Sequence, residues 1–463
     1  MVFFPRRTAV VASSAVVASL FYATIHNDSQ KKYFPAAKPS DQNSSNTLNT
    51  LAWGRNNLLA PKVAIKKPST LEWLDNVALR DLALHDDHAA CVDARGDLYQ
   101  WGVGHASPIR TLSGKDISNV QVCQRRVFAL SKSGRVYALD ANATGQVVSA
   151  PWWKFWATPE PFELTPNARG VKFVQISAGG DHLLALTSTG RTFSYPISKN
   201  ANAHGQLGPN IPATDDCTTL YELPVLKGTP IAQLATGDRS SFARTPTGKV
   251  LAWGANEHGQ LGLGEGFIST AITIPTEVVL WPTKSQQSTT RCLDVCAGGD
   301  LTAFVVERAP TDTVELLMCG DGQWGGLGNN MYSTAQISPT RVRTLSELVE
   351  YDTLTQRVKP IKLHSISISR SGHVLATLNP SSGDRDLLGW GRNHDQELGT
   401  GLGKRSGVPS PVPVDVGDGR LLLKRKSAPV RDLQGNIYGY RSREVEQFAV
   451  ANTKSSILYW REA

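Results

Sequence analysis

The chain of 463 residues has no paired-cysteine hook of the Cys-x-x-Cys type. Its six cysteines (91, 123, 217, 292, 296 and 319) are dispersed, which argues against a zinc site or a disulfide framework and reads as small core residues of a reducing compartment. No glycine-rich piece is followed by Gly-Lys-Ser/Thr. The nearest, Gly262-Leu-Gly264-Glu-Gly266, lacks both the lysine and a surrounding βαβ unit, which argues against a phosphate loop. A Gly-x-Ser-x-Gly elbow is also missing, and every histidine is single or part of a repeated landmark. His85-Asp86-Asp87-His88 is the one short run that resembles a ligand set. Its Asp-His pair lies where Asp181-His182 lies in another repeat, so turn and strand-start roles explain it. These absences leave no catalytic residue, cofactor or metal ligand to nominate, and they point to a protein that works by binding.

Long runs of one charge are missing too. The net charge of +8 allows an acidic partner such as nucleic acid, ribosomal RNA or anionic lipid, but only Lys424, Arg425 and Lys426 cluster. The remaining positive charges are scattered and read as a solvated surface. What the chain has in quantity is glycine (40) and proline (26) beside 40% hydrophobic residues, a composition that suits an all-β fold with many tight turns.

The N-terminal stretch differs from the rest. Arg6 and Arg7 precede Thr8 to Ile25, eighteen uncharged residues rich in Ala, Val, Leu, Phe and Tyr, and no acidic residue occurs before Asp28. At 1.5 Å rise per residue such a helix covers most of a bilayer's hydrocarbon core. The expectation is a mitochondrial targeting signal and transmembrane helix over 1–26, crossing the lipid bilayer through residues 8–25. A polar linker follows over 27–49, rich in Ser, Asn, Lys and Pro, and then a folded domain over 50–463. A secretory signal is the alternative. Asn27, Asn43 and Asn142 begin glycosylation sequons, but no disulfide framework accompanies them.

Internal repetition defines the domain. The clearest copy runs from Leu234 to Gly264: Thr-Gly-Asp at 236–238, a strand through Phe242, Gly248 in a turn, Val250-Leu-Ala-Trp253-Gly254, Asn256, and Gly259-Gln-Leu-Gly262. Val174 to Gly208 repeats it with Ala178-Gly-Gly180-Asp181-His182, Gly190, Tyr195, Asn202 and Gly205-Gln-Leu-Gly208. Weaker copies carry Trp101-Gly102; Gly145-Gln146; Gly299-Asp300 with Gly325-Gly-Leu-Gly328; and Trp390-Gly391 with Glu397-Leu-Gly399. A shortened copy ends the chain at Ile457-Leu-Tyr-Trp460, and Leu51-Ala-Trp53-Gly54 is half a copy stranded at the front. Each copy supplies a hairpin of short apolar strands whose turn uses glycine, and one hairpin cannot bury both its faces. A ring of them closes without long open edges. The expected fold is an all-β, seven-bladed β-propeller. Gly259 and Gly262 are expected at positive φ. Because the front half-copy and the last copy both carry a Trp strand, the mode of closure stays open.

Trp253-Gly-Ala-Asn256-Glu-His-Gly259-Gln-Leu-Gly262 resembles the signature of the regulator of chromosome condensation repeat, and the resemblance extends over about 50 to 463. It implies a seven-bladed propeller. The segment before it makes the chain similar to the family's membrane-anchored mitochondrial members of fungal type, which are tied to assembly of respiratory complexes, complex III foremost, and to ribosome biogenesis. That resemblance implies a non-enzymatic scaffold of the inner membrane facing the matrix. The family's nuclear founder implies the alternative, guanine-nucleotide exchange on a small GTPase.

Interruptions of the repeat mark candidate partner sites. The insert Ser149 to Arg169 contains Pro151-Trp152-Trp153-Lys-Phe155-Trp156, an aromatic cluster that is either a local hydrophobic knot or a hot spot for a protein partner. Two further inserts, Thr344 to Leu363 and Gly417 to Glu444, are more polar and read as solvated loops, the second carrying Lys424, Arg425 and Lys426.

Overall fold

The computed structural model describes residues 48–463 apart from 56–64, 103–104, 124, 143–160, 214–217, 268, 282, 311–312, 353–355, 380–383, 402–406, 417–418 and 440–441. The expected membrane helix, most of the linker and Trp152, Trp153, Phe155 and Trp156 lie outside the described residues. Among the described residues, no helix is long and apolar enough to cross a membrane.

The fold is all-β and propeller-like. In the fourth repeat Gln233–Thr236, Ser240–Arg244, Val250–Ala255 and Ala271–Glu277 form a four-stranded antiparallel meander, with the Gly248 hairpin joining its two middle strands. The first repeat (Asp81–Leu84, His88–Val92, Leu98–Gly102, His105–Leu112) and the fifth (Thr290–Gly298, Leu301–Arg308, Thr313–Gly322, Ser333–Arg341) follow the same order. The sixth does so with Lys362–Ile368, His373–Asn379, Arg385–Gly391 and Val408–Pro413, to which Leu422–Leu423 adds a short partner. Second strands are buried over most of their length, as Phe242 and Phe304 illustrate by meeting edge-on at 6.2 Å between the fourth and fifth repeats. The core therefore lies between successive sheets, each face covered by its neighbour.

Seven separate sheets are not what forms. Five sheets of four or five strands stand as single blades, whereas residues 117–222 make one eight-stranded sheet. Its halves, Ile117–Val122 to Phe162–Pro166 and Phe173–Ala178 to Thr219–Glu222, join through a parallel pair, Thr165↔Thr219 and Pro166↔Leu220. Two backbone bonds make the junction: Thr165 N–H donates to Thr218 O and Asn167 N–H to Leu220 O, both at 2.9 Å, so the donors stand on either side of Pro166 and the Thr219–Glu222 side accepts. Asn167 Oδ1 adds a third contact by accepting the Glu222 N–H at 3.0 Å.

Closure joins the two ends of the described chain. Arg443–Ala451 and Ser455–Glu462 are the first two strands of the last sheet, Leu51–Gly54 is its third and Ile65–Thr70 its fourth, with Arg425–Ala428 added on the inner side. Trp53 stands opposite Ser456 as Trp253 stands opposite Ser241, so Trp53 is the repeat tryptophan of this sheet. Trp460 is not; it lies near the end of the second strand and its Nε1 donates to the Asn49 carbonyl at 3.1 Å. Leu48 is buried against Val430, Val445 and Trp460.

The two polar inserts are not simply solvated loops. Val349–Asp352 pairs with Arg357–Pro360, and Leu345, Leu348 and Ile361 anchor that hairpin in the core. In the other, Leu421 and Leu423 are buried against Trp53 and Leu458, which draws the segment onto the sheets. Both corrections have one cause: the few apolar residues in each insert find a sheet face to cover.

Candidate binding surface

The first strand of each repeat faces a central channel of about 640 Å³. Its polar side chains are largely engaged in joining one sheet to the next. Asp81 accepts from the Val120 N–H at 2.9 Å and from the Asn119 amide. Gln175 exchanges two bonds with the Leu234 backbone, Ser177 pairs with Thr236 at 2.8 Å, and Gln233 reaches Asp294 and the Val295 carbonyl. Burial pushes the Asp81 carboxyl up to about 6 despite the bonds it accepts.

One end of the channel is crossed by Arg370. Its fork donates Nε to Asp238 Oδ1 at 2.7 Å and Nη2 to Oδ2 at 2.8 Å, while Nη1 donates to His85 Nε2. Burial, and then the charge of Arg370, holds His85 below the ordinary histidine range and so keeps its ring an acceptor. Sequence reasoning missed this cluster, though a signal existed. His85 opens its turn by bonding its N–H to the His88 carbonyl, the role that Gly179 and Gly237 play in other repeats, so a bulky ring stands where the pattern has glycine.

The repeat landmarks form the joints between sheets. Gly259 and Gly262 have φ of 73° and 68°, as expected, and the turn they make lets Asn256 Oδ1 accept the Leu261 N–H at 3.3 Å. That turn aims a backbone carbonyl at the next sheet. Gln206 O accepts Trp253 Nε1 at 2.9 Å and Ser241 Oγ at 2.8 Å, and Ser241 in turn accepts from His182 Nε2 at 2.9 Å. The same chain recurs at closure. His373 Nε2 donates to Ser456 Oγ at 3.1 Å, and Glu397 O accepts Ser456 Oγ at 2.8 Å and Trp53 Nε1 at 2.6 Å. Trp390 Nε1 meets Gly326 O at 2.8 Å, and Thr302 Oγ1 meets Gln260 O at 2.8 Å. Burial pulls His182 down to about 4 and His373 to about 3, keeping both rings neutral inside these chains.

Gly254 and Gly391 hold φ of 108° and 94° beside the joint tryptophans, and Gly205, Gly208, Gly299, Gly328 and Gly399 share the positive-φ region. Gly180 does not; its N–H donates to Asp238 O at 2.8 Å across two repeats, next to Asp181.

The basic cluster lies on or beside Arg425–Ala428. Lys424 and Arg425 are exposed, Arg425 pairs with Glu444 at 2.9 Å, and Lys426 sits 4.8 Å from the centre of the Trp460 ring. Its charges are therefore partly engaged at home. The described cysteines (91, 123, 292, 296 and 319) carry free thiols, and burial pushes each of them up.

A ring of repeated sheets joined by buried hydrogen bonds, with a stapled channel and irregular rims, defines a propeller-type repeat protein. Models of the regulator of chromosome condensation (RCC1) repeat match residues 247–305 and 231–260. RCC1 repeats are thus found over residues 231–305 of the chain. Protein FMP25, mitochondrial, of Saccharomyces cerevisiae is 23% identical over 88% of this chain and 72% of its own length. RCC1 domain-containing protein RUG3, mitochondrial, of Arabidopsis thaliana is 26% identical over 66% of this chain and 66% of its own. The crystal structure of human WBSCR16 superposes with a TM-score of 0.63 at 18% identity, covering 90% of this chain and 99% of that one, and so shares the fold.

Proposed function

We propose that the chain is a non-enzymatic protein-binding scaffold of the mitochondrial inner membrane that holds clients during assembly of a respiratory complex, complex III first, or of the mitochondrial ribosome. The observation that carries this reading is the match over 88% of the chain to a relative whose name places it in mitochondria. In this reading residues 1–26 target and anchor the chain, 27–49 link, and 50–463 form a seven-bladed ring facing the matrix. Support for that ring comes from the eight-stranded sheet, whose two halves each repeat the four-strand order of the single blades. With the channel walls engaged in joining sheets, the rims are left for partners. Trp152, Trp153, Phe155 and Trp156, with Lys424, Arg425 and Lys426, are the first candidates.

The test is affinity purification from isolated mitochondria, with protease protection in intact and swollen organelles. Co-purifying assembly proteins and protection until the inner membrane is opened are expected. A glycosidase-sensitive mass shift would instead assign the chain to the secretory route. Guanine-nucleotide exchange, the activity of the family's founder, is checked by nucleotide release from mitochondrial small GTPases, and stimulated release would replace the scaffold reading.

A further inference from the structure

The register of the closing sheet fixes the side of the ring from which the N-terminal segment leaves. Trp53↔Ser456 matches Trp253↔Ser241, so Leu51 stands where Leu251 stands, one residue beyond the Arg244↔Val250 pair that opens the Gly248 hairpin. Leu48 and the chain ahead of it therefore emerge among the turns that join second and third strands, the hairpin face of the ring. Leu48 is held there by Asn76 and packs on Trp460.

Cations collect on that face from the second repeat to the fifth. Lys132 lies in the Ser131–Arg135 turn, and Lys172 lies over the same turn with its Cγ beside Gly134. Arg291 holds the equivalent place over the Gly248 turn, and Lys115, Arg169 and Lys227 stand in the segments that lead into first strands. All six side chains belong to exposed residues. The carboxylates around them are already held: Asp116 by Arg80, with Lys132 4.0 Å away, Glu163 by Arg135, Glu222 by Arg191 and Glu277 by Lys249. A surplus of positive charge is left on this side. At the other end of the same strands the turns carry carboxylates, Asp86, Asp181, Asp238 and Asp300, the last two beside an arginine.

We propose that the hairpin face lies against an anionic phospholipid bilayer, its lysines and arginines on the headgroup phosphates and the opposite face turned to clients. Two observations favour a bilayer as the occupant: the sign of the charge suits it, and the chain that carries the expected anchor leaves from this face. A short linker presents the face to the surface at high effective concentration, so that charges individually weak suffice together. The proposal rests on the anchor reading above and adds the side of the ring that meets the membrane.

The test reconstitutes the full chain with vesicles containing phosphatidylglycerol or with vesicles of phosphatidylcholine alone, each holding a nitroxide-labelled lipid. Quenching is followed for a fluorophore at Thr247→Cys or at Glu257→Cys, with the wild-type chain taken through the same labelling as the blank. These sites lie beyond the two ends of the strand Val250–Ala255, one on each face. Quenching at Thr247 is expected in the anionic vesicles only, is lost in high salt, and stays absent at Glu257. Lys132→Gln, Arg169→Gln and Lys227→Gln combined should lower the docked-to-free ratio about a hundredfold, at about fivefold per charge near an anionic surface, without moving the unfolding transition. The salt arm needs no variant, so the outcome does not hang on folding. Equal quenching in both vesicles, quenching at Glu257 in place of Thr247, or quenching untouched by salt overturns the proposal. So does a hairpin face that takes a short RNA, read at Thr247, and ignores the vesicles. Flotation reads the anchor separately: a chain that floats with anionic vesicles and not with neutral ones ends the anchor reading and leaves the docking face, whereas floating with neither ends both.

Discussion

Removing the two donors that hold Glu397 O, first singly and then together, probes ring closure directly. Trp53→Phe deletes the Nε1–H at 2.6 Å but leaves the carbonyl bonded to Ser456 Oγ, so the expected cost is about 1 kcal/mol for the bond and about 1 kcal/mol for lost ring packing. Ser456→Ala deletes the second donor and also strips His373 Nε2 of its acceptor in a fully buried site, an expected cost of about 1–3 kcal/mol. Either single variant leaves the carbonyl one partner. The double variant leaves it none among the described residues, adding a desolvation penalty that neither single change incurs. The double change should therefore exceed the sum of the singles by about 1–2 kcal/mol. Urea unfolding followed by tryptophan fluorescence measures all three. Thr302→Val with Trp390→Phe, which act at two different joints, is the control and should be additive to within about 0.5 kcal/mol. If the Trp53 and Ser456 changes are also additive, the shared carbonyl is not what closes the ring.

Gly254→Ala should prevent soluble folding, since a Cβ there would lie 2.4 Å from the Arg239 carbonyl with φ at +108°, whereas Gly266→Ala, which meets nothing within 4 Å, should leave the melting temperature unchanged within error. His182 and His373 are held neutral by burial, so each contributes stability above 6.5 that is lost as pH falls towards about 4 and about 3, where the unfolded chain holds the extra proton. Glu397, pushed up to about 7, and Asp81, to about 6, act in the opposite sense, so the readout is the difference between wild type and His182→Gln; the difference should shrink below 6.5, and a pH-independent difference refutes the assignment. Alanine at Trp152, Trp153 and Trp156 together should leave the unfolding transition intact and remove co-purifying proteins. Early melting with binding retained would make the cluster a structural knot.

Local chemistry was legible in the sequence and distant pairing was not. Trp253, Asn256, Gly259 and Gly262 announced the hairpin and its exit turn because each acts within a few residues of itself. Which tryptophan closed the ring was undecidable from pattern, since Trp53 and Trp460 both end apolar strands; the register Trp53↔Ser456 decides it, and register is a property of two strands. The polar inserts misled because Leu348, Ile361 and Leu423 are too sparse to form a periodic signal yet sufficient to pin each segment.

The closing sheet also settles how the ring meets mechanical load from its N-terminal side. A pull on the chain ahead of residue 48 first meets a clasp. Leu48 N–H donates to Asn76 Oδ1, Asn76 N–H to Leu48 O, and Leu71 N–H to Thr50 O. Beyond the clasp the force runs lengthwise along Leu51–Gly54, whose pairs with Leu458, Ile457, Ser456 and Ser455 are strained together and not opened one after another. Trp53, fully buried and bonded to Glu397 O, acts as a barb against sliding. A ring loaded in this way bears tension in shear, so a pull on its N-terminal side does not peel the closing sheet pair by pair.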